Sequence, residues 1–217
     1  MEVLIIPQNL IRILQGVFVT LQIAFIAILI SCAFGFLLGY IMTLKNRFLG
    51  FLCRFYLESI RIIPILAWLF IVYFGFSSVL NLSGILACIV VFSLWGVAEM
   101  GDLVRGAITS IPPHQKQSAR ALGLKEYQVQ IFIIFPQSFK RLLPSLVNLF
   151  TRMIKTTSLA ALIGVSDMLK VGQQIIEVNL INYPSASFWV YGGIFFAYFA
   201  LCYPLSLFSK YLEKKLI

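Results

Sequence analysis

The side chains best placed to do chemistry are charged or hydroxylated residues at helical spacing in or beside long apolar runs: Arg61, Glu99, Asp102, Arg105, Arg152, Lys155 and Ser158. Ionised groups in apolar surroundings are costly unless paired, so each is a functional or partner-contact candidate by default. Asp102 and Arg105 are three apart, which predicts an ion pair along one helix side. Arg54, Glu58 and Arg61 share helical spacing and predict pairing across a turn. For Arg61 three readings stand together: a snorkelling cation, an interhelical pair and a contact with a partner. Arg152 and Lys155 could line a polar route, reach toward another subunit, or bind a fixed carboxylate such as Glu99 or Asp102.

Bond-making chemistry finds no such support. The chain contains no GxxxxGK[ST], HExxH, GxSxG or CxxCH pattern. The acids at 99, 102 and 167 have no spacing that defines an acid/base pair. His114 is the only histidine, with no acid or cysteine cluster beside it, and reads as a loop or helix-start residue. Cys32, Cys53, Cys88 and Cys202 are widely separated and read as small buried hydrophobes. No catalytic residue, metal ligand or cofactor of this chain is therefore expected. The other polar feature is the stretch from Ser118 to Pro136, with Arg120, Lys125, Glu126 and Gly123, flanked by Lys116, Lys140 and Arg141. It reads as a loop held on one side of a membrane and as a docking surface.

These groups must be carried by membrane spans. Of the 217 residues, 60% are hydrophobic and 12% charged, against about 25% charged in soluble domains. Five spans are expected, at roughly 17–42, 57–79, 82–105, 140–164 and 188–209, in one domain, 1–217, with a polar loop at 110–136. Gly35 and Gly39, four apart in the first span, predict a close helix contact. Pro64 is expected to kink the second span, Gly75 to Asn81 to make an external turn, and Pro204 to bend the last span. Met1 to Gln15 reads as a mixed lead-in with no cleavable signal. The polar helix is expected to start near His114 and end at Gly123 or Leu124, with a second short helix over Lys125 to Ile134 that breaks before Pro136. Val171 to Val178 is expected as a short helix along the outer surface. The net charge of +9 sits mainly at 45–54, 105–141 and 210–215. Five spans place all three groups in the cytoplasm, with the N-terminus outside and the C-terminus inside. That distribution accounts for the basic charge without nucleic acid.

The segment Gln117-Ser118-Ala119-Arg120-Ala121-Leu122-Gly123, followed by Ile133-Ile134-Phe135-Pro136, resembles the EAA loop of ABC importer permeases. That motif reads Glu-Ala-Ala, three residues, Gly, nine residues, Ile, any residue, Leu-Pro. Ala119, Gly123, Ile133 and Pro136 match at its offsets, while Gln117 replaces the leading acid and Ser118 the first alanine. Other stretches are similar to the polar amino-acid permease branch: Gln15-Gly16 with Thr20-Leu21-Gln22, Arg61 with Pro64, Asp102-Leu103-Val104-Arg105-Gly106, and Lys155-Thr156-Thr157-Ser158-Leu159. Ile62 and Ile63 replace small polar residues, Thr156 replaces an acid, and Arg152 stands where an apolar residue is usual.

The resemblance covers nearly the whole chain. It implies an all-α membrane protein with the type I ABC importer permease fold, multi-pass in a bacterial cytoplasmic (inner) membrane. The implied function is translocation of polar amino acids by alternating access. The implied partners are a dimer of ABC ATPase subunits that bind ATP and Mg, a second permease copy or close homologue, and an external solute-binding protein. The residues implied for ATPase coupling are Gln117, Ala119, Arg120, Gly123, Lys125, Glu126 and Pro136. The missing acid at Gln117 is expected to leave that contact weaker or remade by Glu126. Candidates for the translocation path are Arg61, Glu99, Asp102, Arg152, Lys155 and Ser158, a set of both signs that would suit a zwitterion. A membrane scaffold using the same loop for binding without transport is the alternative.

Overall fold

The computed structural model describes residues 6–76, 79 and 81–216. Parts of the expected lead-in (1–5) and of the expected turn and second-span end (77, 78, 80) lie outside the described residues. Among the described residues the secondary structure is entirely helical. The elements are α1 (Pro7–Ile41), α2 (Arg47–Ile62), α3 (Ile65–Phe70, continued by a π turn, Ile71–Gly75), α4 (Gly84–Thr109), α5 (Pro113–Ala121) and α6 (Glu126–Val129, continued by a π turn, Gln130–Ile134). They continue with α7 (Phe135–Thr156, continued by a 3-10 turn, Thr157–Ile163), α8 (Met168–Asn179) and α9 (Ala186–Leu216).

Length and hydropathy qualify α1, α4, the 38 residues from Glu126 to Ile163 and α9 as spans, and α2 with α3 as a further, bent one. At 1.5 Å per residue the 35 residues of α1 reach about 52 Å, well beyond a hydrocarbon core of about 30 Å.

Three expectations are corrected. The second span, expected at 57–79 with a kink at Pro64, begins earlier and has that kink as a full break, with 93° between its two helices. It starts as α2 at Arg47, stops at Ile62 and restarts after Pro64, whose φ of −55° and ψ of 135° are non-helical. A proline ring pushes the preceding residue, Ile63, out of the α region. The Pro64 carbonyl then accepts from the N–H groups of Ala67 and Trp68 and opens α3. Second, no break precedes Pro136. A π turn runs into α7, and the Phe135 N–H donates to the Gln130 carbonyl five residues back. That wider register makes room for a ring that has no N–H and would crowd a regular turn. Third, the short helix expected at 171–178 is longer, α8, and its inner face belongs to a core. Met168, Val171, Gly172, Ile175 and Ile176 recur at core-facing helical spacing, and all are buried.

The chain forms two compact units. One comprises residues 1–28, 63–93 and 150–204. Its core joins Met168, Val171, Ile175 and Ile176 of α8 to Ala186, Val190 and Ile194 of α9, with Ile13 and Val17 of α1 packed against them. Gly16 allows this closeness, because a Cβ there would lie 2.8 Å from the Met168 Cα. Arg12 donates to Gln174 Oε1 at 2.8 Å. Asp167 caps α8 by accepting the Lys170 N–H at 2.9 Å.

The other unit comprises residues 29–62, 94–149 and 205–217. Here the expected glycine contact is present. A Cβ on Gly39 would lie 2.5 Å from the Val104 Cβ and 2.6 Å from the Gly101 carbonyl oxygen, and one on Gly35 would collide with the Met100 side chain. Tyr56 donates its hydroxyl to the Leu94 carbonyl at 2.7 Å, and Ser209 donates to the Pro144 carbonyl at 2.9 Å.

Candidate functional site

In the second unit, α2 and α4 place four of the charged residues together. Arg61 Nε donates to Glu99 Oε1 at 2.8 Å and its Nη1 to Asp102 Oδ2 at 3.0 Å. Arg105 donates to Asp102 Oδ1 at 2.6 Å, realising the expected three-residue pair. Glu99 and Asp102 lie one helical turn apart on α4, so both carboxylates face one guanidinium. Two cations and two anions neutralise each other in a half-buried setting. Arg61 therefore forms an interhelical bridge. The expected pairing with Arg54 and Glu58 does not occur: among the described residues neither forms an ion pair. Distance decides this, since Arg61 already lies within hydrogen-bond reach of two carboxylates on α4. A cleft of about 230 Å³ borders the cluster, lined by Met42, Arg54, Leu57, Glu58, Arg61, Asp102 and Arg105.

Arg152, Lys155 and Ser158 belong to the other unit. Arg152 and Lys155 are exposed at the end of α7. The Ser158 hydroxyl donates to the Lys155 carbonyl at 2.8 Å, Thr156 to Arg152 at 2.9 Å and Thr157 to Ile154 at 2.7 Å. The three hydroxyls thus satisfy carbonyls where the helix tightens into its 3-10 turn.

The polar loop lies in the second unit. Pro112 precedes α5 and Pro113 opens it, where a missing N–H costs nothing. The helix ends in a Schellman motif. The Gly123 N–H donates to the Arg120 carbonyl at 2.9 Å and the Leu124 N–H to the Ala119 carbonyl at 3.2 Å. Gly123 has φ of +82°, and a Cβ added there would meet no atom within 4 Å, so backbone conformation alone demands glycine. The Lys125 N–H then donates to Gln128 Oε1 at 2.8 Å, starting α6. Ala119 is buried, while Gln117, Arg120, Lys125, Glu126 and Pro136 are exposed.

Arg120 and Glu126 pair at 2.5 Å across the glycine turn. Glu126 is thus engaged within its own chain. Arg141 Nη1 donates to the Ser110 carbonyl at 2.8 Å, tying α7 to the start of the loop. Leu122, 80% exposed, and Tyr127, 59% exposed, flank the turn. Neither stands out in the sequence by charge or motif. The available signal was an apolar residue directly before a helix-stopping glycine in a polar stretch.

An all-helical chain with several long apolar spans and a short polar helix between α4 and α7 is the architecture of a type I ABC importer permease. The same fold occurs in a solved structure described as an amino acid ABC transporter with histidines, with a TM-score of 0.83 at 24% identity over 94% of this chain and 95% of that one. The chain belongs to the family of binding-protein-dependent transport system inner membrane components, whose model matches residues 34–217. Two Bacillus subtilis relatives, each 32% identical over 204 residues, are named as a probable amino-acid ABC transporter permease and a probable glutamine ABC transporter permease. The first alignment covers 94% of this chain and 88% of the relative; the second covers 92% and 91%. The chain is a multi-pass membrane protein and the membrane subunit of an ABC importer.

Proposed function

We propose that this subunit translocates a polar amino acid across a bacterial inner membrane, as one transmembrane domain paired with a second permease copy or a close homologue. The amino-acid names of its relatives support the substrate class. Segment 110–136 docks on an ABC ATPase subunit that binds ATP and Mg, and an external solute-binding protein delivers the substrate. Docking uses Gln117, Arg120, Leu122 and Lys125, with Ala119 and Gly123 shaping the helix and Pro136 leading into α7. Closure of the ATPase pair favours one packing of the spans over another, giving alternating access. The permease itself makes and breaks no bonds. Arg61, Glu99, Asp102, Arg152, Lys155 and Ser158 remain candidates for the path, the first three already neutralised in a bridge with Arg105.

The observation that carries this reading is the Schellman turn at Gly123, which ends an exposed polar helix beside an exposed Leu122. The test is ATP-driven uptake of labelled amino acids by the reconstituted complex. Gly123→Asp forces a side chain into the left-handed region at a cost of about 1 kcal/mol or more, on the docking surface itself. At least a tenfold loss of uptake is expected, with the helical content of the chain unchanged. Uptake equal to that of the unmodified chain would remove the docking assignment.

A further inference from the structure

The turn between α1 and α2 holds a basic cavity that the proposed transport cycle does not use. It measures about 350 Å³ and is lined by Lys45, Asn46, Arg47, Gly50, Phe51 and Arg54, among others. Arg47 and Arg54 are seven residues apart, two helical turns, so they project from one side of α2 about 10 Å apart along its axis. Arg61 continues the same strip, but Glu99 and Asp102 neutralise it. The guanidinium groups of Arg47 and Arg54 have no ion-pair or hydrogen-bond partner among the described residues. Glu58 lies on that strip toward Arg61, which leaves the Lys45–Arg47 end the more positive.

The rest of the helix surface says what kind of anion would come. Cys53, Leu57 and Ile60 are buried on one side. On the other, Phe48, Phe51 and Phe55 are 64–69% exposed. The basic strip lies between these sides. At the start of α2, an outward aromatic face beside a cationic strip suits the edge of the membrane, with rings toward acyl chains and charges at headgroup level, before the bent pair goes on to cross. A soluble partner would leave the aromatic face uncovered, whereas a lipid covers both.

We infer that the α1–α2 turn binds the headgroup of an anionic phospholipid, with Arg47, Arg54 and Lys45 holding its phosphate and Phe48, Phe51 and Phe55 flanking its chains.

The test is native mass spectrometry of the purified full chain with phosphatidylglycerol or phosphatidylcholine of identical acyl chains. The expected result is preferential retention of phosphatidylglycerol, reduced about tenfold or more in R47Q/R54Q and largely kept in R47K/R54K. Both arginines are exposed, and circular dichroism of each variant verifies the fold. Equal retention of the two lipids, or unchanged preference in R47Q/R54Q, overturns the inference. Glycerol 3-phosphate binding as tightly as the lipid would make this a free-anion site and also overturns it. So would a double glutamine variant that keeps its lipid but loses the ATPase subunit, which would make the strip a protein contact. Lipid binding does not depend on transport, so these outcomes are separate from the fate of the docking assignment.

Discussion

Asp167 is fully buried at the start of α8, where Oδ1 accepts the Lys170 N–H while Oδ2 has no hydrogen-bond partner among the described residues. Burial pushes its carboxyl up to about 6, against an opposing contribution from backbone N–H donors. A carboxyl raised in the folded state favours folding most when protonated. Its contribution is therefore fully present below pH about 4 and is lost as pH rises through about 6. Asp167→Asn keeps an oxygen for the cap and removes the charge. The melting temperature of the purified chain should fall between pH about 5 and pH about 8 in the unmodified protein but much less in the variant. At the upper end the asparagine form should be more stable by on the order of 3 kcal/mol, a gap that roughly halves by pH about 5 and closes only below pH about 4. Asp167→Ala should lie about 1 kcal/mol below the asparagine form at every pH, because it removes the charge equally but also abolishes the cap. Parallel pH curves for Asp167 and its asparagine variant would show that the buried carboxyl is not the titrating group.

At the scale of elements, α2 and α4 are joined by a side-chain bridge whose geometry needs arginine. Arg61 addresses two carboxylates through Nε and Nη1, a planar fork that a lysine ammonium does not reproduce. Arg61→Gln should lower stability by about 1–2 kcal/mol, below the cost of breaking a buried pair because these side chains are partly exposed. Arg61→Lys should recover less than half of that. Denaturation of the purified chain measures both, and a full rescue by lysine would show that charge alone, without the fork, joins the helices. Of this arrangement the sequence could disclose only its local half. Asp102 and Arg105 are three apart, so one helix brings them together whatever the fold. The Arg61–Glu99 contact depends on which helices are neighbours, which spacing along one helix does not encode. The same division holds for the loop. The stop at Gly123 was legible because a left-handed cap favours glycine, whereas the π turn over Gln130–Ile134 shifts the hydrogen-bond register inside a continuous apolar pattern and leaves no compositional mark. The core stripe of α8 was masked by the polar residues on its other side.

For the whole molecule, the charge distribution makes a prediction about sidedness that the helices do not make by themselves. A net charge of +9 is concentrated at 45–54, 105–141 and 210–215, while the remaining connections carry chiefly Arg12 and Lys170. With α2 and α3 together counted as one bent span, there are up to five crossings. An odd number puts the termini on opposite sides and returns all three basic groups to the same side. If α2 and α3 do not cross, four spans remain and the 45–54 and 105–141 groups face opposite sides, against the retention of basic loops in the cytoplasm. The two topologies differ in where single engineered cysteines meet an impermeant thiol reagent in intact cells. A chain lacking its own four cysteines and carrying one at Gln117 or Asn46 should be labelled only after the membrane is opened, whereas one at Asn182 should be labelled from outside. Labelling of position 46 from outside with position 117 protected would mean that the bent pair turns back within the membrane. Labelling of position 117 from outside would put the polar helix beyond the reach of any cytoplasmic ATPase, and the coupling mechanism would fail however well its local geometry fits.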